Sequence, residues 1–484
     1  MRILLEGRIS RTYVQTLCMM FFHGEKFPEN EEGPRGELLV VARDSEEGIY
    51  CDAFLKYDGK ESSGSSFVPF EAYDKYERTS KTAVGKAVYI AGHKLTGKII
   101  PWGILTGIRP SKIASELLLE MDREQAIEVL QEKYLLAENK AGLAVSVAEN
   151  ETKIMSSFDE STCSMYISIP FCPTRCSYCS FISYPTTKLF ELIPSYLDKL
   201  CLEIKQKLQL IKRLGLKLVT VYIGGGTPTT LSDSQLNILL RTISEGIDKK
   251  DLVEFTVEGG RPDTITKEKL AVLSAYGVDR ISVNPQSLND SVLMKIGRHH
   301  TVADFYSAYD LVKQSGIKLV NTDLIAGLDG DSYSSFKETV DEIIKLSPHN
   351  VTVHSFSVKK SAQILRDDGE IYNKGNDFAT ESVNYAYEAL LANGYEPYYM
   401  YRQKNTVSDL ENVGYSKGET HGIYNVLMMG DCHTVFGAGA GSTTKLVKKV
   451  DGKTVIKRIF SHKYPYEYLQ DSQNNEKEIS DFFS

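Results

Sequence analysis

The segment YISIPFCPTRCSYCSF, residues 166–181, places three cysteines close together, at Cys172, Cys176 and Cys179, directly after a short apolar run. Random placement of eight cysteines among 484 residues would give this spacing roughly 0.002 times per chain. The other five cysteines are scattered, and eight cysteines in a chain of this length do not form a disulfide framework. The group therefore indicates a chemical role.

An iron–sulfur cluster and a zinc ion are the two inorganic centres that such a group of thiolates could bind. Three thiolates can hold three irons of a [4Fe–4S] cluster and leave the fourth iron open to another ligand. A closed zinc site needs four ligands, usually arranged as two separated pairs, and the sequence offers no partner pair. The spacing therefore favours the cluster over zinc.

Short strand patterns alternate with amphipathic helical patterns from about residue 160 onwards. About six such β–α units follow one another, which predicts parallel strands with helices outside. We therefore predict an α/β fold built as a partial (β/α)6 barrel, since a complete eight-unit barrel needs about 250 residues. The predicted domains are an N-terminal α+β domain of unknown role (1–155), the partial barrel (156–370) and a C-terminal extension that covers the substrate (371–484).

The N-terminal region carries no recognisable catalytic motif. GELLVVARD, IYCDAFLKYDG and KAVYIAGHKL have the composition of strands in a small sheet, with ESSGSS as a turn between them. The residues that follow Pro110 have an almost continuous helical pattern.

The overall composition is ordinary for a globular protein, with 42% hydrophobic and 25% charged residues. The net charge of −8 argues against broad nucleic-acid binding. No run of about 18 apolar residues predicts a membrane-spanning helix. Glu6 and Arg8 interrupt the start of the chain where a signal peptide needs an apolar core. We expect a cytoplasmic protein that binds neither membranes nor nucleic acid.

Residues that could bind a ligand recur where the predicted strands end. GGGTPT, residues 224–229, follows the second strand, and Glu258 ends the third. Gln286 and Arg298 follow the fourth strand, and Asp323 is expected at the end of the fifth. Each has an ordinary explanation when taken singly, such as a turn or a helix cap. Because the loops at the carboxyl ends of barrel strands form the functional site, their joint occurrence in this order predicts one pocket.

The C-x-x-x-C-x-x-C spacing, with Tyr178 before the last cysteine, resembles the signature of the radical S-adenosylmethionine (SAM) superfamily. Together with YIGGGTPT, RISVNPQS, GRH and NTDLIAGL it resembles the oxygen-independent coproporphyrinogen III oxidases, and among them the HemZ branch, the coproporphyrinogen dehydrogenases. The resemblance implies two cofactors, a [4Fe–4S] cluster and SAM bound at its open iron. An electron from the cluster would cleave SAM to methionine and a 5′-deoxyadenosyl radical.

The resemblance also implies roles for individual residues. The cluster ligands would be Cys172, Cys176 and Cys179. The SAM-binding residues would be Tyr166, Tyr178, Gly224, Gly225, Gly226, Thr227, Glu258, Gln286, Arg298 and Asp323. Three of these, Tyr166, Glu258 and Arg298, would act in catalysis.

The implied reaction is the oxidative decarboxylation of two propionates of coproporphyrinogen III to vinyls, which gives protoporphyrinogen IX without oxygen. The implied partners are the tetrapyrrole and an electron donor such as flavodoxin or ferredoxin. Two alternatives stay open. The chain could be a haem-binding, haem-transfer protein of the same family, or a radical SAM enzyme that methylates and opens haem.

Three features depart from the family patterns. Family oxidases carry His at the position of Ser168 and a further Cys at the position of Phe181, which weakens the transfer of that reaction. The haem-chaperone branch carries a His-Asn-x-x-Tyr-Trp motif. Here only HGIYN, residues 421–425, is similar, and Trp102 is the sole tryptophan, which counts against the chaperone hypothesis.

The segment GYEPYYMYRQK, residues 394–404, could border a tetrapyrrole, with Arg402 paired to a propionate. The alternative is an amphipathic strand that buries alternate tyrosines. His354 ends the sixth predicted strand and is expected to face the pocket, whereas His299 and His300 are expected to be exposed or to cap a helix.

Overall fold

The computed structural model describes residues 1–28, 35–71, 75–179, 187–357, 377–403, 409–471 and 475–484. Phe181 lies outside these residues. Among them, no helix is both long and apolar enough to cross a membrane.

The chain divides into two compact units. The first consists of residues 1–149 with the described residues of 368–380 and 400–411. The second consists of the described residues of 150–367, 381–399 and 412–484. The three-part division predicted from the sequence stays a prediction.

The first unit is built on a sheet that has four strands in the described part of the chain, in the order β1–β2–β3–β4. The strands are β1 (Arg2–Glu6), β2 (Gly36–Asp44), β3 (Gly48–Tyr57) and β4 (Lys60–Pro69). β1 pairs with β2 in parallel, and the other pairs are antiparallel. The helices that begin in this unit are α1 (Arg11–Phe21), α2 (Tyr76–Thr96), α3 (Ser111–Leu117), α4 (Arg123–Glu132) and α5 (Glu138–Met155).

The prediction of a strand at KAVYIAGHKL, residues 86–95, is wrong, because the segment lies within α2. Ala83, Ala87 and Ala91 are buried at intervals of four residues, which is the spacing of one helix face. This small-residue face packs against β3 and β4. The β-branched and aromatic residues of the segment suggested a strand, but burial of the alanine face decides for a helix.

The prediction of a turn at ESSGSS, residues 61–66, is also wrong, because these residues lie in β4. The Ser62 and Ser66 hydroxyls donate hydrogen bonds to backbone carbonyls of α2, at 2.8 and 2.6 Å. A Cβ at Gly64 would lie 2.2 Å from the Ala87 carbonyl oxygen. The small residues therefore let α2 approach the sheet rather than turn the chain.

A buried charge pair lies within the first unit. The Lys140 ammonium donates to one carboxylate oxygen of Glu411 at 2.6 Å, and the Trp102 indole N–H donates to the other at 2.7 Å. All three side chains are almost fully buried. Both carboxylate oxygens are thereby paired, as a buried charge requires.

Arg402 lies in the same unit. Its contacts contradict the prediction that it pairs with a substrate propionate. Its guanidinium is buried and donates to the backbone carbonyls of Leu105 and Asp409. Its backbone N–H donates to the Ile108 carbonyl at 2.7 Å. Arg402 therefore satisfies loop carbonyls inside the first unit.

The second unit contains a run of parallel strands, each followed by helical structure. These strands are β5 (Thr162–Ile169), β6 (Lys217–Gly225), β7 (Glu254–Gly260), β8 (Arg280–Val283), β9 (Leu319–Ala326) and β10 (Asn350–Ser355). Neighbours in this list are paired in parallel. The predicted α/β fold, with six consecutive parallel strands in an open sheet, is confirmed.

Five later strands extend this sheet at its two ends in the described part of the chain, giving the order β11–β12–β10–β9–β8–β7–β6–β5–β13–β14–β15. They are β11 (Tyr395–Arg402), β12 (Glu411–Lys417), β13 (Thr434–Ala438), β14 (Thr443–Val450) and β15 (Lys453–Phe460). β13 pairs with β5 in parallel, and β12 pairs with β10 in antiparallel fashion.

The remaining helices connect or flank these strands. They are α6 (Thr187–Phe190), α7 (Ile193–Arg213), α8 (Asp233–Gly246), α9 (Lys267–Ala275), α10 (Asp290–Lys295), α11 (Val302–Gln314), α12 (Tyr333–Leu346), α13 (Asp377–Ala392), α14 (Ile423–Met429), α15 (Pro465–Gln470) and α16 (Glu476–Phe483). Ser232 and Thr301 begin α8 and α11 with capping boxes, which explains why these helices start directly after their loops.

Alternation along β5 shows how the strands place side chains. Met165 and Ile167 are fully buried, while Tyr166 between them is partly exposed. Successive side chains of a strand point to opposite faces, so every second residue can face the interior of the curved sheet. Parallel pairing of Tyr166 with Tyr222, and of Tyr222 with Thr256, puts these residues on one face.

Replacing Glu411 by Gln tests the buried pair of the first unit. The substitution leaves the Lys140 ammonium buried without an opposite charge, so the free energy of unfolding should fall by about 3–5 kcal/mol. Denaturant unfolding followed by the fluorescence of Trp102 measures the change. The control is Glu61→Gln, because the Lys56–Glu61 pair is exposed (64% and 68%) and should contribute less than about 1 kcal/mol. Equal effects of the two substitutions would contradict this expectation.

Candidate active site

The cysteine loop, residues 170–179, follows β5 directly. Cys172 is buried, and Cys176 and Cys179 are partly exposed. The Cys179 N–H donates to the Cys176 carbonyl at 3.1 Å, and the Ser177 N–H donates to the Ile296 carbonyl at 3.0 Å. The loop is therefore curled on itself and fastened to the residues that follow α10.

The glycine turn, residues 224–227, lies against the cysteine loop. The Gly226 N–H donates to the Ile169 carbonyl and the Thr227 N–H to the Phe171 carbonyl, both at 2.8 Å. The Thr227 hydroxyl lies 3.3 Å from the Cys172 sulfur. A Cβ at Gly226 would lie 2.6 Å from the Phe171 oxygen and 3.0 Å from the Cys172 sulfur. The close approach of the two loops therefore requires glycine at this position.

Glu258, in β7, faces the interior beside the glycine turn. Its carboxylate accepts a hydrogen bond from the Tyr222 hydroxyl at 2.5 Å. A Cβ at Gly224 would lie 2.9 Å from its other oxygen. Burial raises the pKa of Glu258 to about 7, because Tyr222 offsets this effect only in part and the charge of Asp323 adds to it. Glu258 is thus a carboxyl group whose charged form would gain from a cationic ligand.

Asp323, in β9, is held by two amide side chains. Asn284 donates to one carboxylate oxygen at 2.7 Å and Asn321 to the other at 2.8 Å. His354 in β10 lies 3.9 Å from the same carboxylate and 3.3 Å from the Asn412 side-chain oxygen. The contact with Asp323 places His354 toward the interior, where the sequence predicted it.

Gln286 lies just beyond β8 in an unusual backbone conformation. Its φ of 71° is in the left-handed region, which residues other than glycine rarely adopt. Backbone bonds to Asp323 and Ile325, at 3.1 and 3.0 Å, hold it there. Its side chain is buried, and the amide oxygen has no hydrogen-bond partner among the described residues. Such strain and an unpaired polar atom are typical of a ligand-binding position.

Arg298 is buried beside the cysteine loop. Its guanidinium donates to the Asn284 carbonyl at 2.6 Å, and Tyr178 and Cys176 are its charged or polar neighbours. Of the two histidines that follow, His299 is exposed as predicted, but His300 is buried, which corrects the prediction for that residue. Burial lowers the pKa of His300 to about 4.

Three tyrosines form a stack on the interior side of β5 and β6. Tyr222 stacks on Tyr424 with ring centroids 4.5 Å apart, and Tyr166 lies 6.1 and 6.2 Å from these two rings. The three planes are within 24° of parallel. We call these three residues the tyrosine stack, and the hydroxyl of Tyr222 joins it to Glu258.

Several residues of this region are absent from the sequence prediction. Tyr222, Asn284 and Asn321 each lie two residues before a predicted ligand-binding residue, so the period-two rule for strands could have identified them. Tyr424 comes from a helix about 200 residues away from Tyr222, and no local pattern indicates it. Tyr395, Tyr398 and Tyr399 are all buried, so β11 is buried on both faces and does not bury alternate tyrosines as the amphipathic alternative requires.

Comparison with known proteins identifies the family. The model of the radical SAM superfamily matches residues 166–343. The oxygen-independent coproporphyrinogen-III oxidase-like protein HemZ of Bacillus subtilis is 34% identical over 465 residues, which cover 94% of this chain and 92% of HemZ. The chain belongs to the HemZ family within the radical SAM superfamily.

Other relatives match a smaller part of the chain. The heme chaperone HemW of Lactococcus lactis is 33% identical over 237 residues, which cover 49% of this chain and 60% of HemW. The structure of coproporphyrinogen III oxidase (HemN) from Escherichia coli superposes with a TM-score of 0.52 and 20% identity, covering 67% of this chain and 71% of HemN. This superposition supports the fold of the HemZ family member described here.

The cofactors of the superfamily, a [4Fe–4S] cluster and SAM, fit the residues of this site. The cysteine loop offers three thiols with the spacing of the superfamily, and each would bind a different iron. In the described part of the chain, no group of three His, Cys, Asp or Glu side chains is placed to hold a single metal ion. SAM is a cation, and Glu258 and Asp323 would face its ammonium and ribose. The assignment of individual residues to the two cofactors stays a prediction.

Replacing Cys172 by Ala tests the cluster. We expect the variant to lose most of its iron and sulfide after anaerobic reconstitution, because three thiolates are needed to hold the cluster. Iron and sulfide assays with visible absorbance measure this. Cys432→Ala is the control, since Cys432 is exposed and distant in sequence from the cysteine loop. Full iron content in Cys172→Ala, or firmly bound zinc in the unaltered protein, would contradict the assignment.

The affinity for SAM should depend on pH through Glu258. Its pKa near 7 means that the carboxyl group is neutral below pH 7 and negative above it. A cationic ligand binds the negative form, so the dissociation constant should rise about tenfold per pH unit below 7. Calorimetric titration of the anaerobically reconstituted protein measures it. Glu258→Gln should bind SAM more weakly and remove this dependence, whereas an unchanged profile in the variant would exclude Glu258 as its source.

Proposed function

We propose that this protein catalyses the oxygen-independent oxidative decarboxylation of coproporphyrinogen III. Two propionate side chains would become vinyl groups, and the product would be protoporphyrinogen IX. The observation that carries the proposal is the 34% identity to HemZ across nearly the whole of both chains. The fold similarity to the HemN oxidase is consistent with it.

Conversion of each propionate to a vinyl group removes a hydrogen atom, CO₂ and one electron from the substrate. One hydrogen atom leaves the β-carbon, the carboxylate leaves as CO₂, and one electron passes to an acceptor as the double bond forms. When bound, the cluster and SAM supply the 5′-deoxyadenosyl radical that takes the hydrogen atom. A one-electron acceptor and a low-potential donor such as flavodoxin or ferredoxin complete the proposed set of partners.

The protein's own residues would bind and shield the reactants. Glu258 and Asp323 would hold the cationic end and ribose of SAM, and Gln286 would bond to the ribose through its unpaired amide oxygen. Arg298 would hold the cysteine loop in place through its contacts with Tyr178 and Cys176. The tyrosine stack would close the interior below SAM and keep water from the reacting atoms.

The serine at position 168, where the family oxidases have histidine, supports a second candidate function. Its hydroxyl donates to the Ala440 carbonyl at 2.7 Å and is buried, so it does not replace the family oxidases' His as a free polar group. The relatives named heme chaperone HemW are 27–34% identical over 40–49% of this chain. A haem-binding protein that transfers haem without turnover is therefore the alternative function.

An anaerobic assay separates the candidates. The reconstituted protein is first reduced with dithionite, freed of excess dithionite, and incubated with SAM, coproporphyrinogen III and a one-electron acceptor supplied as anaerobic cell extract, and the products are analysed by mass spectrometry. We expect vinyl products together with 5′-deoxyadenosine, and neither with Cys172→Ala. Formation of 5′-deoxyadenosine with an unaltered tetrapyrrole would overturn the substrate assignment.

A parallel titration with haem addresses the second candidate. Tight stoichiometric haem binding without turnover of coproporphyrinogen would favour haem transfer. Methylated or ring-opened products from haem would instead indicate a radical SAM enzyme that degrades haem.

A further inference from the structure

The amino-terminal end of the parallel strands is bound by the segment 420–424, which comes from the C-terminal part of the chain. Arg280, the first residue of β8, donates to the carbonyls of Thr420 and His421 at 3.1 and 2.9 Å. Asn350, the first residue of β10, donates to the Thr420 carbonyl at 2.8 Å. These anchors lie at the end of the sheet opposite to the cysteine loop.

Glu254, the first residue of β7, fixes the start of α14. Its two carboxylate oxygens accept the backbone N–H groups of Ile423 and Tyr424, at 2.8 and 3.1 Å. The Arg280 guanidinium lies 3.5 Å from the same carboxylate. Glu254 and Arg280 are both buried, and both carboxylate oxygens of Glu254 are paired, so this is a desolvated arrangement rather than a surface cap.

The anchored helix puts one side chain into the barrel interior. Tyr424 is buried and stacks on Tyr222 at 4.5 Å, with Tyr166 on the same stack at 6.2 Å. The Tyr222 hydroxyl in turn donates to Glu258 at 2.5 Å. An unbroken series of contacts therefore runs from Glu254 at the lower end of the sheet to Glu258 at the upper end.

We propose that Tyr424 is a positioning residue for the SAM pocket, which sets the position and the dryness of Glu258 through the ring of Tyr222. The proposal rests on the proposed role of Glu258 in binding SAM. Tyr222 can donate its short hydrogen bond only while its ring is held, and Tyr424 covers a face of that ring. A buried aromatic pair of this kind contributes about 0.5–1.5 kcal/mol beyond the area that it buries.

The ring of Tyr424, rather than its hydroxyl, is the part that the proposal requires. Phenylalanine at this position would keep the stack, whereas leucine would remove it and leave a space beneath Tyr222. Water in that space would hydrate the Glu258 carboxylate from below. Burial now favours the neutral form of the Glu258 carboxyl group, and added water would weaken this effect. The pKa of Glu258 would then fall toward that of an exposed glutamate.

The test compares Tyr424→Leu with Tyr424→Phe in the anaerobically reconstituted full-length protein. At a pH well above 7, where Glu258 is ionised in every variant, we expect Tyr424→Leu to raise the dissociation constant for SAM by about tenfold and Tyr424→Phe to leave it nearly unchanged. The pH midpoint of SAM binding should move about one unit lower in Tyr424→Leu only. Calorimetric titration over a range of pH gives both quantities without any turnover.

A matched substitution separates positioning from general loss of packing. Phe336 is fully buried on α12, outside the strand interior, so Phe336→Leu should lower thermal stability without changing the affinity for SAM or its pH midpoint. Glu254→Gln keeps all three rings but weakens the anchor of α14, and should raise the dissociation constant by a smaller factor, about threefold. This variant also serves if Tyr424→Leu does not fold.

The failure of the proposal can be told apart from the failure of its premise. Unaltered SAM affinity in Glu258→Gln would remove the premise, whatever Tyr424 does. If Glu258→Gln weakens binding but Tyr424→Leu and Glu254→Gln retain the affinity and pH midpoint of the unaltered protein, the positioning role is overturned. A loss in Tyr424→Phe equal to that in Tyr424→Leu would likewise overturn it, because the ring would then not be the active part.

Discussion

Backbone hydrogen bonds join the glycine turn to the cysteine loop, and the geometry of the candidate site depends on them. β5 and β6 pair in parallel up to Ile169 and Gly225, and the next residues continue the contact as Gly226 bonds to Ile169 and Thr227 bonds to Phe171. The cysteine loop is therefore an extension of the sheet rather than a free connection. Thiols placed on such a support keep their positions, which a cluster with one open iron requires.

The interior below this junction brings two carboxyl groups, Glu258 and Asp323, close together. Glu258 and Asp323 are close enough for each to affect the other, yet neither is neutralised by a lysine or arginine in the contacts that the described residues make. Amide groups of Asn284 and Asn321 donate to the two carboxylate oxygens of Asp323, while Glu258 accepts the hydroxyl of Tyr222 from the tyrosine stack. The charged form of such a pair would gain from a cationic ligand, which is the basis of the proposed role in binding SAM.

Much of this arrangement follows from the sequence because parallel strands obey simple rules. Glu258 and Gln286 could be placed together from the sequence because each lies near or just past the carboxyl end of an apolar run, whereas Asp323 lies inside β9 rather than at the expected strand end. The same reasoning failed for residues 86–95 and 61–66, where packing against a neighbouring element decides the structure. An alanine face makes the first segment helical, and serines that bond to that helix make the second a strand.

Long-range contacts account for what the sequence could not indicate. Arg402 carries the positive charge that could bind a propionate. Its guanidinium instead donates to the backbone carbonyl of Leu105, about 300 residues earlier in the chain. Tyr424 reaches the tyrosine stack only because Glu254 and Arg280 bind its segment. The local periodicity of the sequence indicates neither contact, because each depends on which distant backbone groups need a hydrogen-bond partner.

Contacts with the C-terminal part of the chain also explain why residue 168 is a serine here and not the histidine of the family oxidases. β13 pairs with β5 so that Gly437 lies beside Tyr166, and the following turn brings Ala440 to the Ser168 hydroxyl. The Tyr196 hydroxyl joins the same strands by donating to the Ser168 carbonyl and accepting from the Ala440 N–H, at 2.8 and 2.9 Å. A side chain as large as histidine has to displace this network. In this protein the side chain at position 168 therefore binds the C-terminal part of the chain and is not free to contact a ligand.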